Sequence, residues 1–201
     1  YIGDSLMVMW GMPTPLTNPC ELACETAIAV RNASNRLRDE WAQQKEPLKF
    51  NTRIGLHYGE AIVGNVGAAD RFNYTMVGDT VNVASRLEGA NKTYKTNIIV
   101  SDALLKQLDH EHAAHRFAFR MIGKVTMKGK RKSTLIYELY DQRCSLRQPQ
   151  IEALDAWNRV MKQAIDQGHH AAFEQLAAES EDLRAHPLLI QLRQELDTSA
   201  H

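Results

Sequence analysis

Residues 73–88, NYTMVGDTVNVASRLE, constrain the fold more than any other stretch of the chain. Gly78 and Asp79 stand where a helix would open, and Val83, Leu87 and Ala90 follow at the 3–4 residue spacing of one buried helical face. The spacing predicts a helix from about Thr80 to Asn91. Asn82 and Arg86 lie four residues apart, so they come roughly 40° apart around its axis and form a polar edge beside the apolar stripe. An amide next to a planar five-donor fork suits a place where negative charge grows on phosphate oxygens, because both groups donate without changing protonation state. In isolation the same pair is also what the solvent face of an amphipathic helix carries.

The flanking sequence predicts alternating strands and helices. Leu6 to Trp10 is a short apolar run that reads as a buried strand, ended by the Gly and Pro cluster from Gly11 to Pro15. Asn18 as cap, Pro19 in the first turn and Glu21 three residues after the cap then predict a helix running to about Gln44. Its buried face is marked by Ala23, Ala27, Val30, Leu37 and Trp41. Thr52–Tyr58 and Ala61–Val66 read as strands around Gly59 and Glu60, and Asn97–Val100 as another. Ser101 should cap a short helix over Asp102–Leu108, and Phe117–Val125 and Thr134–Tyr140 should pair around a basic loop. Strands and helices intermix without a strict parallel rhythm, which favours an α+β fold.

Composition sets the outer bounds. With 201 residues the chain can hold one medium domain and a small appendage. Lys plus Arg and Asp plus Glu each number 24, so no global field recruits nucleic acid or an anionic membrane, and charge-driven binding must be local. Cys20 and Cys24 sit one helical turn apart and, with Cys144, make an odd count, which argues for reduced thiols of a cytoplasmic protein. No apolar run approaches the ~18 residues a membrane span requires. The histidines His110, His112 and His115 lie in a polar loop without a recognised ligand constellation.

Taken together, YIGDSLMVMWG at the start, RIGLHYGEAIVGNVG, NYTMVGDTVNVASRLE, IGKVTMKGK and STLIYELYD resemble, in order and spacing, the class III nucleotidyl cyclase catalytic domain. The resemblance implies a ferredoxin-like βαβ core over residues 1–142, and an adenylate cyclase that converts ATP to cyclic AMP and pyrophosphate in signal transduction. It also implies two divalent ions per site, Mg²⁺ or Mn²⁺, and a head-to-tail homodimer with shared active sites. Asp4, in the turn Ile2-Gly3-Asp4, matches the second of two metal-binding aspartates, and hard carboxylate oxygens suit such ions. Asn82 matches the residue that orients the ribose, and Arg86 the one that binds the α-phosphate. Lys128, in a stretch where five of the nine residues from Lys124 to Lys132 are basic, matches the lysine for the terminal phosphates. Thr75 aligns with the purine-selecting position, where a hydroxyl can accept from the adenine amino group.

The first metal aspartate and a base-selecting lysine would precede Tyr1, so the expectation is a fragment, which leaves room upstream for a sensor or membrane segment. Two alternatives remain: a guanylate cyclase, and a catalytically silent cyclase-like module that dimerises or binds nucleotide to regulate a neighbour. Residues 143–201 read as purely helical. Leu154, Trp157, Met161 and Ala164 form one stripe, Gly168 stops it, Phe173, Leu176 and Ala177 begin a second helix, and Pro187 opens a third. This tail is similar to a single tetratricopeptide-like hairpin, too little for a solenoid.

Overall fold

The computed structural model describes residues 5–44, 50–68, 71–126 and 133–167. Among these residues four strands form one sheet in the order β1 (Ile54–Leu56), β4 (Ile98–Ser101), β6 (Ser133–Gln142), β5 (Phe117–Thr126). β1 and β4 run parallel, and the β4–β6 and β6–β5 pairs are antiparallel. Parallel neighbours need a crossover. Here it consists of the hairpin β2 (Ile62–Ala68) and β3 (Arg71–Val77) followed by the helix α2 (Asp79–Tyr94). The expected α+β architecture with a βαβ unit is therefore present.

Helices cover both faces of the sheet, and β4 shows why the sequence demands it. Ile98, Ile99 and Val100 are all completely buried. Alternate residues of a strand point to opposite faces, so a continuous apolar run needs cover on each side. Ile99 joins a core with Val83 and Leu87 of α2, Ile136 of β6, and Trp157, Val160 and Met161 of α4 (Gln148–Gln167). Ile98 and Val100 pack with Cys20, Cys24, Ala27 and Ile28 of α1 (Pro19–Ala42), Leu104 and Leu108 of α3 (Asp102–His110), and Leu139 of β6.

Helix α4 docks on β5 by polar contacts as well. Trp157 Nε1 donates to the Met121 carbonyl at 2.7 Å. Asn158 accepts from the Met121 N–H at 2.8 Å and donates to the Phe119 carbonyl at 2.7 Å, so an amide side chain serves the backbone of the sheet's outer strand. The stripe Leu154, Trp157, Met161 and Ala164 is buried as its spacing predicts. The helices expected around Phe173 and Pro187 lie outside the described residues.

Several expectations need correction. Leu6–Trp10 is not a strand: a strand exists only in a ladder, Ser5 alone makes an isolated bridge, and Leu6 and Val8 are largely exposed. The strand expected over Thr52–Tyr58 is confined to Ile54–Leu56, and it pairs with β4 while β2 pairs with β3. Residues 71–77, which sequence left unassigned, form β3. On α1 the buried face is Cys20, Ala23, Cys24, Ala27 and Ile28, whereas Val30 and Leu37 are nearly half exposed. At 100° per residue Val30 and Leu37 lie roughly 90–110° from the centre of that face, on the flank of the helix.

The start of α1 is capped from a distance. Asn18 makes no side-chain cap and donates instead to the Glu21 carboxylate at 2.7 Å. The orphan N–H groups of Cys20 and Glu21 are taken by Glu111, at 3.2 and 2.9 Å. By contrast Ser101 caps α3 as expected, accepting from the Leu104 N–H.

Candidate active site

Helix α2 carries the polar pair, and its placement is set by what it can approach. Gly55 of β1 lies so close beneath it that a Cβ there would stand 2.1 Å from the Ala84 carbonyl oxygen and 2.4 Å from the Glu88 nitrogen. Only a residue without a side chain lets strand and helix backbones meet in this way. Further along, Asn91 is buried and donates to the Ile54 carbonyl at 3.0 Å, while its own oxygen accepts from Thr96 at 2.8 Å. At the opening of the helix Thr80 donates to the Glu60 carbonyl. Arg53 pairs with Glu88 at 2.6 Å. The helix is thus tied to β1 and its flanks at both ends and in the middle.

Gly78 turns the chain from β3 into α2 with φ 144°, a backbone region that favours glycine. A Cβ at this position would meet nothing closer than 3.6 Å, so the torsion and not crowding calls for glycine.

On this clamped helix Val83 and Leu87 face the core, and Asn82 and Arg86 are exposed one turn apart on the adjacent edge. Among the described residues Arg86 has no ion-pair partner, so its guanidinium is available to an anion. Thr75 is half-buried on β3, directly opposite Gly64, two residues before the Val77–Gly78 turn into α2. β3 and α2 therefore bring Thr75, Asn82 and Arg86 onto consecutive elements. Asp4 and Lys128 lie outside the described residues. Among the described residues no group of three or more His, Cys, Asp or Glu side chains is placed to hold a metal ion.

His57, just beyond β1, places Nδ1 2.7 Å from the buried Ser101 hydroxyl and acts as a packed polar residue. Cys20 and Cys24 are buried and unpaired. Burial, with the Glu111 carboxylate adding to it, pushes the Cys20 thiol up to about 12, and burial raises Cys24 as well.

Gly55 and Asn91 are positioning residues that the reading of motifs passed over. Asn91 carried a detectable signal, since a polar residue four after Leu87 and eight after Val83 falls on the buried stripe. Gly55 carried little, because a glycine within a strand pattern has several explanations.

Fold and helix pair together define a class. The chain belongs to the adenylate and guanylate cyclase catalytic domain family, which it matches over residues 1–140. Among individual proteins, it is 42% identical over 140 residues to Adenylate cyclase 1 of Rhizobium meliloti (strain 1021), an alignment covering 69% of this chain and 20% of that protein. The chain thus spans about a fifth of that relative's length. Of solved structures, the adenylyl cyclase CyaB from P. aeruginosa is similar with a TM-score of 0.57 and 28% identity, covering 69% of this chain and 68% of that one. The guanylyl cyclase Cya2 is similar with a TM-score of 0.56 and 26% identity, covering 71% and 68%. Neighbours named for both nucleotides share the fold, so the fold alone does not select the base.

Proposed function

We propose that this chain is the catalytic domain of an adenylate cyclase acting in signal transduction. The observation that carries this reading is the Asn82–Arg86 pair, exposed on a helix clamped to β1, in a chain of the cyclase family. In the reaction the ribose 3′ hydroxyl gives up its proton, which ends on solvent or the leaving pyrophosphate. Its oxygen forms a bond to the α-phosphorus of ATP, and the bond from that phosphorus to the pyrophosphate oxygen breaks. Negative charge concentrates on the α-phosphate oxygens as this happens. Arg86 donates to those oxygens, Asn82 holds the ribose so that its 3′ oxygen is in line, and Lys128 takes the terminal phosphates. The Thr75 hydroxyl accepts from the adenine amino group, which favours ATP over GTP.

A divalent ion, Mg²⁺ or Mn²⁺ and two per site in our reading, would stabilise charge on the phosphates when bound. Asp4 supplies one carboxylate, and a single carboxylate is not a ligand set. The described residues do not complete it.

A homodimer with shared sites is the second part of the proposal. The β2–β3 hairpin forms a separate two-stranded sheet, and two-stranded ribbons are marginal in water without a packing partner. It exposes Ile62 and Val77, opposite one another in register, and Tyr74 from the other face. A second copy is the cover this surface fits. No helix among the described residues is long and apolar enough to cross a membrane, and the catalytic part is proposed to work in the cytoplasm, where ATP is available.

The test uses the full-length gene product, assayed for cyclic AMP and cyclic GMP from ATP and GTP with Mn²⁺. Cyclic AMP from ATP is expected. Asp4→Ala and Arg86→Ala should each abolish turnover, and mixing the two should restore part of it, since one mixed interface keeps both groups. No recovery in confirmed heterodimers overturns the shared site. No product from either nucleotide, in a protein shown to be dimeric, points instead to a silent regulatory module.

A further inference from the structure

The far end of α2 borders a polar cleft of about 340 Å³ that the proposed chemistry does not use. Three parts of the chain converge on it. Arg38 comes from α1, Asn51 and Arg53 from the approach to β1, and Lys92, Lys95 and Asn97 from the end of α2 and the turn into β4. Four cations thus line one cavity in a chain whose charges balance overall, and among the described residues no carboxylate lines it. Two nearby acids offset part of this charge: Glu88 holds Arg53 at 2.6 Å and Asp39 stands 3.7 Å from Arg38. Lys92 and Lys95 have no ion-pair partner among the described residues. The negative end of the α2 dipole accounts for lysines in its last turn. It does not account for the arginines brought from α1 and from the β1 approach.

Neutral donors accompany the charge. Asn97 donates to the Asn51 side-chain oxygen at 3.0 Å, which leaves the Asn51 amide nitrogen without a partner among the described residues. Among the described residues no aromatic side chain lines the cleft to stack on a base. The ligand such a lining selects is compact, multiply anionic and rich in acceptors.

We propose that this cleft is a second anion site that takes a phosphoryl group, distinct from the catalytic edge of α2. Lys92 lies ten residues beyond Asn82, about 15 Å along the helix, and about 120° around the axis from Arg86, so one ligand does not bridge the two sites. The site shares α2 with the catalytic edge, and Asn91 in its wall is the residue that ties this helix to Ile54. The phosphoryl group can come from a free oligophosphate or from the headgroup of a phosphorylated lipid.

The test titrates the 201-residue chain with sodium pyrophosphate at low salt by calorimetry and ³¹P NMR, in an Arg86→Ala/Lys128→Ala background that removes both proposed catalytic phosphate ligands. A parallel arm measures co-sedimentation with phosphatidylcholine vesicles with and without phosphatidylinositol 4-phosphate. Binding should persist in Arg86→Ala/Lys128→Ala and weaken as salt is raised. In Lys92→Gln/Lys95→Asn it should fall by about tenfold. Asn at position 95 tolerates the left-handed backbone found there, φ 52°. Arg38→Gln, on a different helix, should weaken binding in the same direction and serves if the double variant folds poorly. Pyrophosphate binding without vesicle binding assigns the free anion, and vesicle binding lost in the variants assigns the headgroup. Binding in neither arm, or binding unchanged by these substitutions, overturns the proposal.

Discussion

Replacing Gly55 with alanine should separate the helix that carries the proposed catalytic pair from its support. The added methyl would sit 2.1 Å from the Ala84 carbonyl oxygen, 2.4 Å from the Glu88 nitrogen and 3.0 Å from the Leu87 carbonyl carbon. All three are backbone atoms of α2, so no side-chain rotation relieves the overlap, and the helix must withdraw by about 1 Å. Overpacking of this kind costs about 1–3 kcal/mol, and the upper end is expected because the neighbours are backbone. The withdrawal also stretches the bond from Asn91 to the Ile54 carbonyl. Asn82 and Arg86 ride on the displaced helix, and a misplacement near 1 Å lowers turnover on the order of 100-fold. The assay pairs urea unfolding with cyclic AMP formation under saturating Mn²⁺. Gly89→Ala, on the same helix with open space around its Cβ, is the control, and should raise stability by up to about 1 kcal/mol. A Gly55→Ala protein with unchanged unfolding midpoint and unchanged turnover would refute the argument that this close approach places the site.

Glu111→Ala removes the distant cap of α1 and should cost about 1–2 kcal/mol in urea unfolding, with Asn18→Ala costing less because Asn18 makes no cap bond. Trp157→Ala should cost about 3–5 kcal/mol if α4 unfolds together with the sheet, and a loss below about 1 kcal/mol would show α4 to be a separate unit. The thiols give a pH dependence. Folding holds Cys20 protonated up to about 12, whereas an ordinary thiol ionises near 9.0, so its contribution is complete below pH 9 and is lost as the pH rises toward 12. Unfolding midpoints measured across pH 8–10 should fall, and should fall less in Cys20→Ala. At neutral pH a thiol reagent should label Cys144 in the native protein and reach Cys20 and Cys24 only after unfolding.

Sequence by itself determined the elements whose signals are local. The stripe of Val83 and Leu87, the Ser101 cap, the β5–β6 pair and the Leu154–Ala164 stripe of α4 were legible because each depends on residues within a few turns of one another. Asn82 and Arg86 could be placed on one helical edge for the same reason, since helical periodicity fixes their relative angle. Tertiary structure decided what depends on distant partners. Glu111 replaced Asn18 as the cap of α1 across some 90 residues, β1 passed over its sequence neighbour β2 to pair with β4, and Cys20, Cys24 and Ile28, not Val30 and Leu37, became the face of α1 that packs on the sheet. The contact between Gly55 and the α2 backbone belongs to the same group. Spacing along the chain encodes the direction in which a side chain points, but which backbone lies in that direction is settled only when strands far apart in sequence come together, and that contact is what holds Arg86 in place.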